Sequence, residues 1–173
     1  NNAYAQDNET SWFDWRLAAS PEGEALSAFV AKLVGLRRAH ETLRPRQFLH
    51  GQNEYAPEVL DVDWFDEHGR RLSPADWDNP QACALAMRRA LPRPDGRIEL
   101  LTLLFNAADE AITFHLPEPV GAARILADSA QPDAPDTAVV GTRVEVAAHG
   151  AVMIASAMEA GLAGGRCAPE MPF

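Results

Sequence analysis

The first twelve residues concentrate side-chain amides, carboxylates and aromatic rings in one short segment. The amides of Asn2, Gln6 and Asn8 each provide an acceptor and two donors, whereas the carboxylate of Asp7 only accepts. This mixture matches the neighbouring hydroxyl groups of a sugar, and Tyr4 offers a flat apolar face for a pyranose ring. The segment therefore has the composition of a carbohydrate-binding loop, with an ordinary polar surface loop as the alternative.

A longer motif contains this segment and runs Asn-Asn-Ala-Tyr-x-Gln-Asp-Asn-Glu-x-Ser-Trp-x-Asp-Trp over residues 1–15. The motif resembles part of the bacterial glycogen debranching enzymes of the isoamylase type, in the α-amylase superfamily. In those enzymes it lies in the loop after the last strand of the catalytic barrel, on the substrate side. The resemblance implies substrate contacts from Asn2, Tyr4, Gln6, Asp7 and Asn8.

Looser matches to the same family extend the resemblance to roughly residues 1–157. Segments 29–33 and 36–40 resemble the final barrel helix, and segments 61–65 and 76–77 resemble the C-terminal domain. Ala5 stands where many relatives carry Cys, a change we expect a packing position to tolerate. The implied parent enzyme hydrolyses α-1,6 branch linkages of glycogen or its limit dextrin through a covalent glycosyl intermediate, without a cofactor.

The catalytic carboxylates of that superfamily lie on barrel strands upstream of the motif, so the resemblance places none of them in this chain. A retaining glycosidase needs two carboxyl groups about 5 Å apart, and the chain contains two closely spaced acidic pairs that are candidates for this role. Asp61 and Asp63 alternate with apolar residues, which predicts the solvent face of a strand. Asp76 and Asp78 flank Trp77 in a segment typical of a turn. We therefore assign no catalytic residue and expect the chain alone to be inactive. Its expected partner is an upstream catalytic barrel, and the expected ligand of the parent enzyme is an α-glucan.

Composition and charge argue against nucleic acid or a membrane as a partner of this chain. The chain has 173 residues, 47% of them hydrophobic, which is enough for a core of its own. Its net charge is −10 and its basic residues are scattered, so nucleic acid is not an expected partner. No apolar run approaches the roughly eighteen residues of a membrane-spanning helix, and the N-terminus has no signal-type stretch, so no membrane partner is expected.

The cysteines and histidines indicate neither a disulfide framework nor a metal site. Cys83 lies in an apolar run and is expected to be a small buried residue, whereas Cys167 lies in a Gly/Pro-rich segment. Such cysteine usage fits a reducing cytoplasm. The five histidines are spread through the chain without the spacing of metal ligands.

Apolar periodicity predicts one amphipathic helix from Pro21 to His40. Ser20 is its expected N-cap, and Pro21 suits the first helical position. Its apolar stripe comprises Leu26, Phe29, Val30, Leu33 and Leu36. Pro45 prevents further helix, which sets the first domain boundary there.

Beyond Pro45 the apolar period changes from 3.6 to 2, and short strands alternate with Pro, Gly and Asp. Strands are predicted at Val59–Phe65, Ala82–Leu91, Ile98–Asn106, Ala111–Leu116, Arg124–Asp128, Thr142–Ala147 and Ala151–Ser156. The predicted fold is mainly β, an antiparallel β-sandwich preceded by a loop and the last helix of a (β/α)8 barrel. Residues 1–45 form the loop and helix, 46–157 the sandwich and 158–173 a disordered tail.

Two alternatives to the debranching-enzyme fragment stay open. The first alternative is a standalone non-catalytic carbohydrate-binding or structural module. The second is a protein-interaction sandwich with no role in sugar binding. Trp64 and Trp77 are the residues of the sandwich that could stack on a sugar, although core or inter-domain packing is the more common role of tryptophan in a small sandwich.

Overall fold

A computed structural model of the chain describes residues 7–9 and 11–159. It contains two α-helices, α1 (Trp15–Ala18) and α2 (Pro21–Ala39), and two short 3-10 segments, Glu41–Leu43 and Pro74–Asp78. The strands are β1 (Glu54–Ala56), β2 (Val59–Leu60), β3 (Val62–Phe65), β4 (Ala84–Pro92), β5 (Arg97–Asn106), β6 (Ile112–His115), β7 (Arg124–Asp128), β8 (Thr137–Ala138), β9 (Arg143–Val146) and β10 (Ala151–Glu159). The mainly β fold class is confirmed. The last strand ends two residues beyond the predicted limit of the sandwich, and the rest of the predicted tail lies outside the described residues.

Helix α2 begins and ends where its sequence predicts. The Ser20 side chain accepts a hydrogen bond from the backbone N–H of Gly23 at 3.2 Å, and Pro21 occupies the first turn. This cap satisfies one of the backbone donors that have no partner within the first turn of a helix. The helix ends at Ala39, and His40 is its C-cap.

The strands form one six-stranded antiparallel sheet, in the order β3-β4-β5-β10-β7-β8, and two two-stranded ribbons, β1-β2 and β6-β9. The main apolar core lies between the large sheet and the β6-β9 ribbon, as in a sandwich. It comprises Phe65, Ala86, Leu104, Val152 and Ile154 from the sheet with Phe114, Val144 and Val146 from the ribbon. A second cluster lies where the β1-β2 ribbon contributes Ala56 and Val59, packed with Ala90, Ile98 and Leu100.

Between the two clusters lies a buried cation, Arg88, with 1% of its surface exposed. Its guanidinium donates to the backbone carbonyl oxygens of Glu58, Pro117 and Glu118 at 2.7, 3.1 and 2.8 Å. It also lies 4.9 Å above the centre of the Phe65 ring. Burial lowers the pKa of Arg88. The side chain thus ties the turn between β1 and β2 to the segment that follows β6.

Helix α2 is attached to the opposite face of the large sheet. Successive side chains of a strand alternate between its two faces, so Glu99 of β5 points away from the face of its core neighbour Leu100. The Glu99 carboxylate lies 2.8 Å from the His40 ring nitrogen and accepts a hydrogen bond from the Thr42 hydroxyl. Burial raises the pKa of Glu99, but these two hydrogen bonds and the charges of His40 and Arg93 outweigh it, so the pKa lies below its usual range. Midway along the helix, the Lys32 ammonium donates to the carbonyl oxygen of Ala134 at 2.8 Å.

These contacts divide the apolar stripe of α2 into two faces. Phe29, Leu33 and Leu36 are half-buried on the side of the helix that carries Lys32 and His40. Leu26, Val30 and Val34 form a neighbouring row at a spacing of four residues, and they are 63%, 49% and 43% exposed. All of α2 is described, and none of its residues is buried. The second row therefore has no covering partner among the described residues.

The prediction that Asp61 and Asp63 lie on a solvent-exposed face is wrong. Asp61 is fully buried and Asp63 is 6% exposed. The alternation of the strand is present but with the opposite phase, because the two carboxylates share their face with Val59 and Phe65, both of which are in the core. The half-exposed residues are those between them.

The prediction of a buried Cys83 is also wrong, since this residue is exposed and unpaired just before β4. Segment 82–91 does form a strand, as predicted, but it begins at Ala84. The predicted turn after β3 is present as well. The N–H of Gly69 donates to the Asp66 carbonyl oxygen at 3.1 Å, with Gly69 at a positive φ of 76° that favours glycine.

Candidate functional site

The predicted sugar-binding loop is described only in part. Asn2, Tyr4 and Gln6 lie outside the described residues, whereas Asp7 and Asn8 are exposed. The Asp7 carboxylate accepts a hydrogen bond from the indole nitrogen of Trp12 at 2.7 Å. The backbone carbonyl oxygen of Asn8 accepts from the backbone N–H groups of Ser11 and Trp12 at 2.9 and 3.0 Å. The loop therefore folds back on itself and fixes Asp7 beside an aromatic ring.

Three aromatic side chains follow this turn and point into solvent. Trp12, Phe13 and Trp15 are 64%, 64% and 77% exposed. Phe13 and Trp15 meet edge to face, with ring centres 4.8 Å apart. Asp14 is the N-cap of α1, accepting from the backbone N–H groups of Arg16 and Leu17. Its carboxylate thus has a structural role, while the three aromatic side chains are exposed.

A second surface of mixed polar and aromatic character surrounds Trp77. This side chain lies in the 3-10 segment after β3 and is 54% exposed. Its ring meets that of Trp64 edge to face, with centres 5.5 Å apart. Trp77 borders a groove of about 860 Å³ that also includes Phe105, Asn79, Gln81 and Cys83. We refer to this surface as the Trp77 groove.

One wall of the Trp77 groove is fixed by an ion-pair network. The guanidinium of Arg70 donates two hydrogen bonds to the Asp76 carboxylate, both at 3.0 Å, and one to Asp66 at 2.9 Å. Asp76 also accepts from the backbone and hydroxyl of Ser73, at 2.7 Å each. The hydrogen bonds from Arg70 hold the pKa of Asp76 well below its usual range. The role of Asp76 in turn formation is confirmed.

The other acidic pair is also structural. The Asp61 carboxylate accepts from the backbone N–H groups of His50, Gly51 and Val62 at 3.2, 2.9 and 2.9 Å. Asp63 forms a 2.6 Å ion pair with Arg71. These hydrogen bonds and this ion pair hold both carboxylates in fixed positions. These carboxylates organise the turns around β3.

Within residues 7–9 and 11–159, no group of three or more His, Cys, Asp or Glu side chains is arranged to hold a metal ion. No helix in the same part of the chain is long and apolar enough to cross a membrane.

Comparison with known proteins provides the family. No family model matches the chain. A glycogen operon protein GlgX homologue of Mycobacterium tuberculosis is 34% identical over 126 residues, which cover 68% of this chain. A protein of Yersinia pseudotuberculosis named glycogen debranching enzyme is 32% identical over 118 residues and also covers 68% of the chain. This chain belongs to the glycogen debranching enzyme family.

The match covers a small part of those glycogen debranching enzymes. The chain spans 17% of the mycobacterial relative and 15% of the Yersinia relative. Solved structures of the trehalulose synthase MutB are similar at a lower level, with 18% identity and a TM-score of 0.44 over 81% of this chain and 19% of MutB. At these values the structural likeness adds nothing to the family assignment.

The sequence does not predict which side chains come together in the Trp77 groove. The Trp77 groove collects residues from position 66 to position 112, and no local motif brings them together. The signals that were present are Trp77 itself and the Asp-Trp-Asp turn around it. The aromatic group at residues 12–15 was visible in the opening motif, but its exposure depends on what surrounds it.

Proposed function

We propose that this chain is the C-terminal portion of a cytoplasmic glycogen debranching enzyme that hydrolyses α-1,6 branch linkages of glycogen or its limit dextrin. The observation that carries the proposal is the 34% identity with the GlgX homologue over 126 residues. In this reading the chain contributes a substrate-side loop and a sandwich, and the catalytic carboxylates belong to another part of the enzyme.

The environment of the acidic side chains supports a non-catalytic role. A glycosidase acid must exchange a proton during the reaction, and a nucleophilic carboxylate needs access to the anomeric carbon. Asp61 is buried among backbone donors, and Asp63 and Asp76 are each bound to an arginine. The hydrogen bonds from Arg70 hold the pKa of Asp76 below its usual range, which suits structural anchoring better than proton transfer.

The exposed row of α2 supports docking on a larger body. Burial of the exposed side chains of Leu26, Val30 and Val34 would remove apolar surface from water. Each Å² removed would stabilise the docked state by about 25 cal/mol. The aromatic residues Trp12 and Trp15 add further exposed apolar surface nearby in sequence. Because exposed apolar patches of this kind mark interaction surfaces, we assign this face to the catalytic barrel, a body that would account for part of the greater length of the relatives.

The opening loop would then lie at the substrate. We assign substrate contacts to Asn2, Tyr4, Gln6, Asp7 and Asn8. The hydrogen bond from Trp12 to one Asp7 oxygen fixes the direction of the carboxylate, which we assign as an acceptor for a sugar hydroxyl. A fixed acceptor loses little conformational entropy when substrate binds, which favours accurate positioning.

A standalone carbohydrate-binding module is the second candidate, and the half-exposed Trp77 favours it. The two candidates differ in one respect: a standalone module would bind glucan without being part of any debranching activity.

The proposal is tested on the longer protein that carries this chain, by measuring reducing ends released from glycogen limit dextrin. We expect Asp7→Ala to lower kcat/KM about tenfold, the effect of losing one hydrogen bond to a charged group, with an unchanged melting temperature. Glu9→Ala is the matched control, because it removes an exposed carboxylate two residues away. Absence of debranching by the longer protein would overturn the proposal, and equal effects of the two substitutions would overturn the role of Asp7.

A further inference from the structure

We propose that the Trp77 groove is a second, non-catalytic α-glucan-binding site that holds the polymer on the sandwich, away from the opening loop. The inference rests on the proposed function for the identity of its ligand. Its location and chemistry come from the groove itself.

The groove has two aromatic walls that are exposed for different reasons. Trp77 meets Trp64 edge to face, and 54% of its surface stays exposed to solvent. Phe105 is 38% exposed on the outer face of the large sheet, where its cross-strand partner is the half-buried Leu85. Exposed aromatic surface normally costs free energy, and a sugar ring stacked on it would recover part of that cost.

Trp77 also borders a second, smaller groove of about 400 Å³, which contains His50, Leu60 and Arg71. The indole thus stands between two adjoining depressions. The larger, of about 860 Å³, is within the size range of ordinary ligand sites. A polymer that passes over the indole would contact both depressions, as a linear chain of glucosyl units can.

The ion-pair network in the wall of the larger groove is in place before any ligand arrives. Arg70 is bound by Asp76 and Asp66, and Asp76 also caps the 3-10 segment through Ser73. This network connects the turn after β3 to the segment that carries Trp77. A rigid site loses little conformational entropy on binding, so a weak ligand such as a sugar can be retained.

The charges of the groove favour a neutral ligand. The carboxylates of Asp66 and Asp76 share the single guanidinium of Arg70, so the network leaves no free cation for a phosphate. A net charge of −10 on the chain also disfavours anionic ligands. The amides of Asn79 and Gln81 supply donors and acceptors beside the aromatic surface, a set that matches sugar hydroxyls.

The test is native gel electrophoresis of the 173-residue chain with and without glycogen in the gel, complemented by titration with maltoheptaose. We expect glycogen to retard the chain and Trp77→Ala to weaken the apparent affinity about tenfold, because a stacked aromatic is the main apolar contact of the site. Phe48→Ala is the matched control: Phe48 is 95% exposed and lies outside the groove. If Trp77→Ala does not fold, Gln81→Ala and Trp77→Phe replace it in the test. Both variants should bind glycogen more weakly than the unchanged chain.

The outcomes separate this inference from the proposed function. Equal retardation of the unchanged chain and the folded groove variants would overturn the inference, as would no retardation at all, whether or not the longer protein debranches limit dextrin. Retardation that depends on Trp77 supports the inference even if the longer protein releases no reducing ends, a result that would overturn the proposed function alone. Capture of a protein partner by the groove, without glycogen binding, would also overturn it.

Discussion

The ammonium group of Lys32, midway along α2, donates a hydrogen bond to the backbone carbonyl oxygen of Ala134 at 2.8 Å, and a second to that of Pro132 at 3.3 Å. The contact joins residues about a hundred positions apart in the chain. Together with the His40–Glu99 contact at the helix end, it attaches α2 to the sandwich. The boundary predicted near Pro45 is therefore crossed by polar contacts, although the helix itself is not buried.

We expect Lys32→Met to loosen α2 without unfolding the sandwich. The substitution keeps the apolar stem but removes the donors to Pro132 and Ala134. Hydrogen exchange of residues 21–39 should become about fivefold faster, the effect of losing a net contribution of about 1 kcal/mol. Arg38→Met, an exposed position on the same helix, is the control. Unchanged exchange in the Lys32 variant would mean that apolar contacts alone hold the helix.

The exposed row of α2 should cause self-association of the isolated chain. Val30→Asp places a charge in the centre of this row, so sedimentation should show less oligomer at the same concentration. Val140→Asp is the control, because Val140 is 92% exposed and lies far along the chain in the sandwich. A chain that sediments as a monomer before any substitution would contradict the prediction.

Asp61 should be important for stability and not for activity. Asp61→Ala leaves the backbone N–H groups of His50, Gly51 and Val62 without their acceptor. Each unsatisfied buried group costs about 1–3 kcal/mol, so we expect the free energy of unfolding in urea to fall by about 3 kcal/mol. Asp78→Ala, at an exposed carboxylate, should change it by less than about 0.5 kcal/mol. Equal effects of the two substitutions would show that the Asp61 contacts contribute no net stability.

The Glu99 contacts with His40 and Thr42 should make the helix attachment sensitive to acid. The pKa of Glu99 in the folded chain lies below its ordinary value of 4.5. The ionised form therefore stabilises the folded state fully above about pH 4.5, and this contribution is lost as the pH falls through the lower, folded-state pKa. Between about pH 6 and pH 3 the exchange protection of residues 36–43 should decrease. Glu99→Gln should remove this pH dependence, whereas Glu145→Gln, at an exposed site, should leave it. An equal pH dependence in all three proteins would assign it to other groups.

Local signals predicted the elements but not which residues they bury. Ser20 and Pro21 fixed the start of α2 because capping depends on residues within one turn. The phase of segment 59–65 could not be read in the same way, since apolar residues occur at both odd and even positions. The buried phase is set by the hydrogen-bond donors that surround Asp61, most of which come from the preceding loop.

The same limit applies to the candidate sites. Trp77 was recognisable as a possible sugar platform, but its exposure depends on an edge-to-face contact with Trp64, thirteen positions earlier. Cys83 lies in an apolar run that favoured burial, yet the run begins outside the sheet, and the first strand residue is Ala84. In both cases the outcome was decided by tertiary contacts that the local pattern does not contain.

The most direct test is the release of reducing ends from glycogen limit dextrin by the 173-residue chain and by the longer enzyme of which we propose it is a part. We predict release by the longer protein and none by the chain, because Asp61, Asp63 and Asp76, three of the four carboxylates in the two candidate acidic pairs, have structural roles. Release by the chain alone, abolished by a single Asp→Asn or Glu→Gln substitution within it, would contradict the assignment of the catalytic carboxylates to another part of the enzyme.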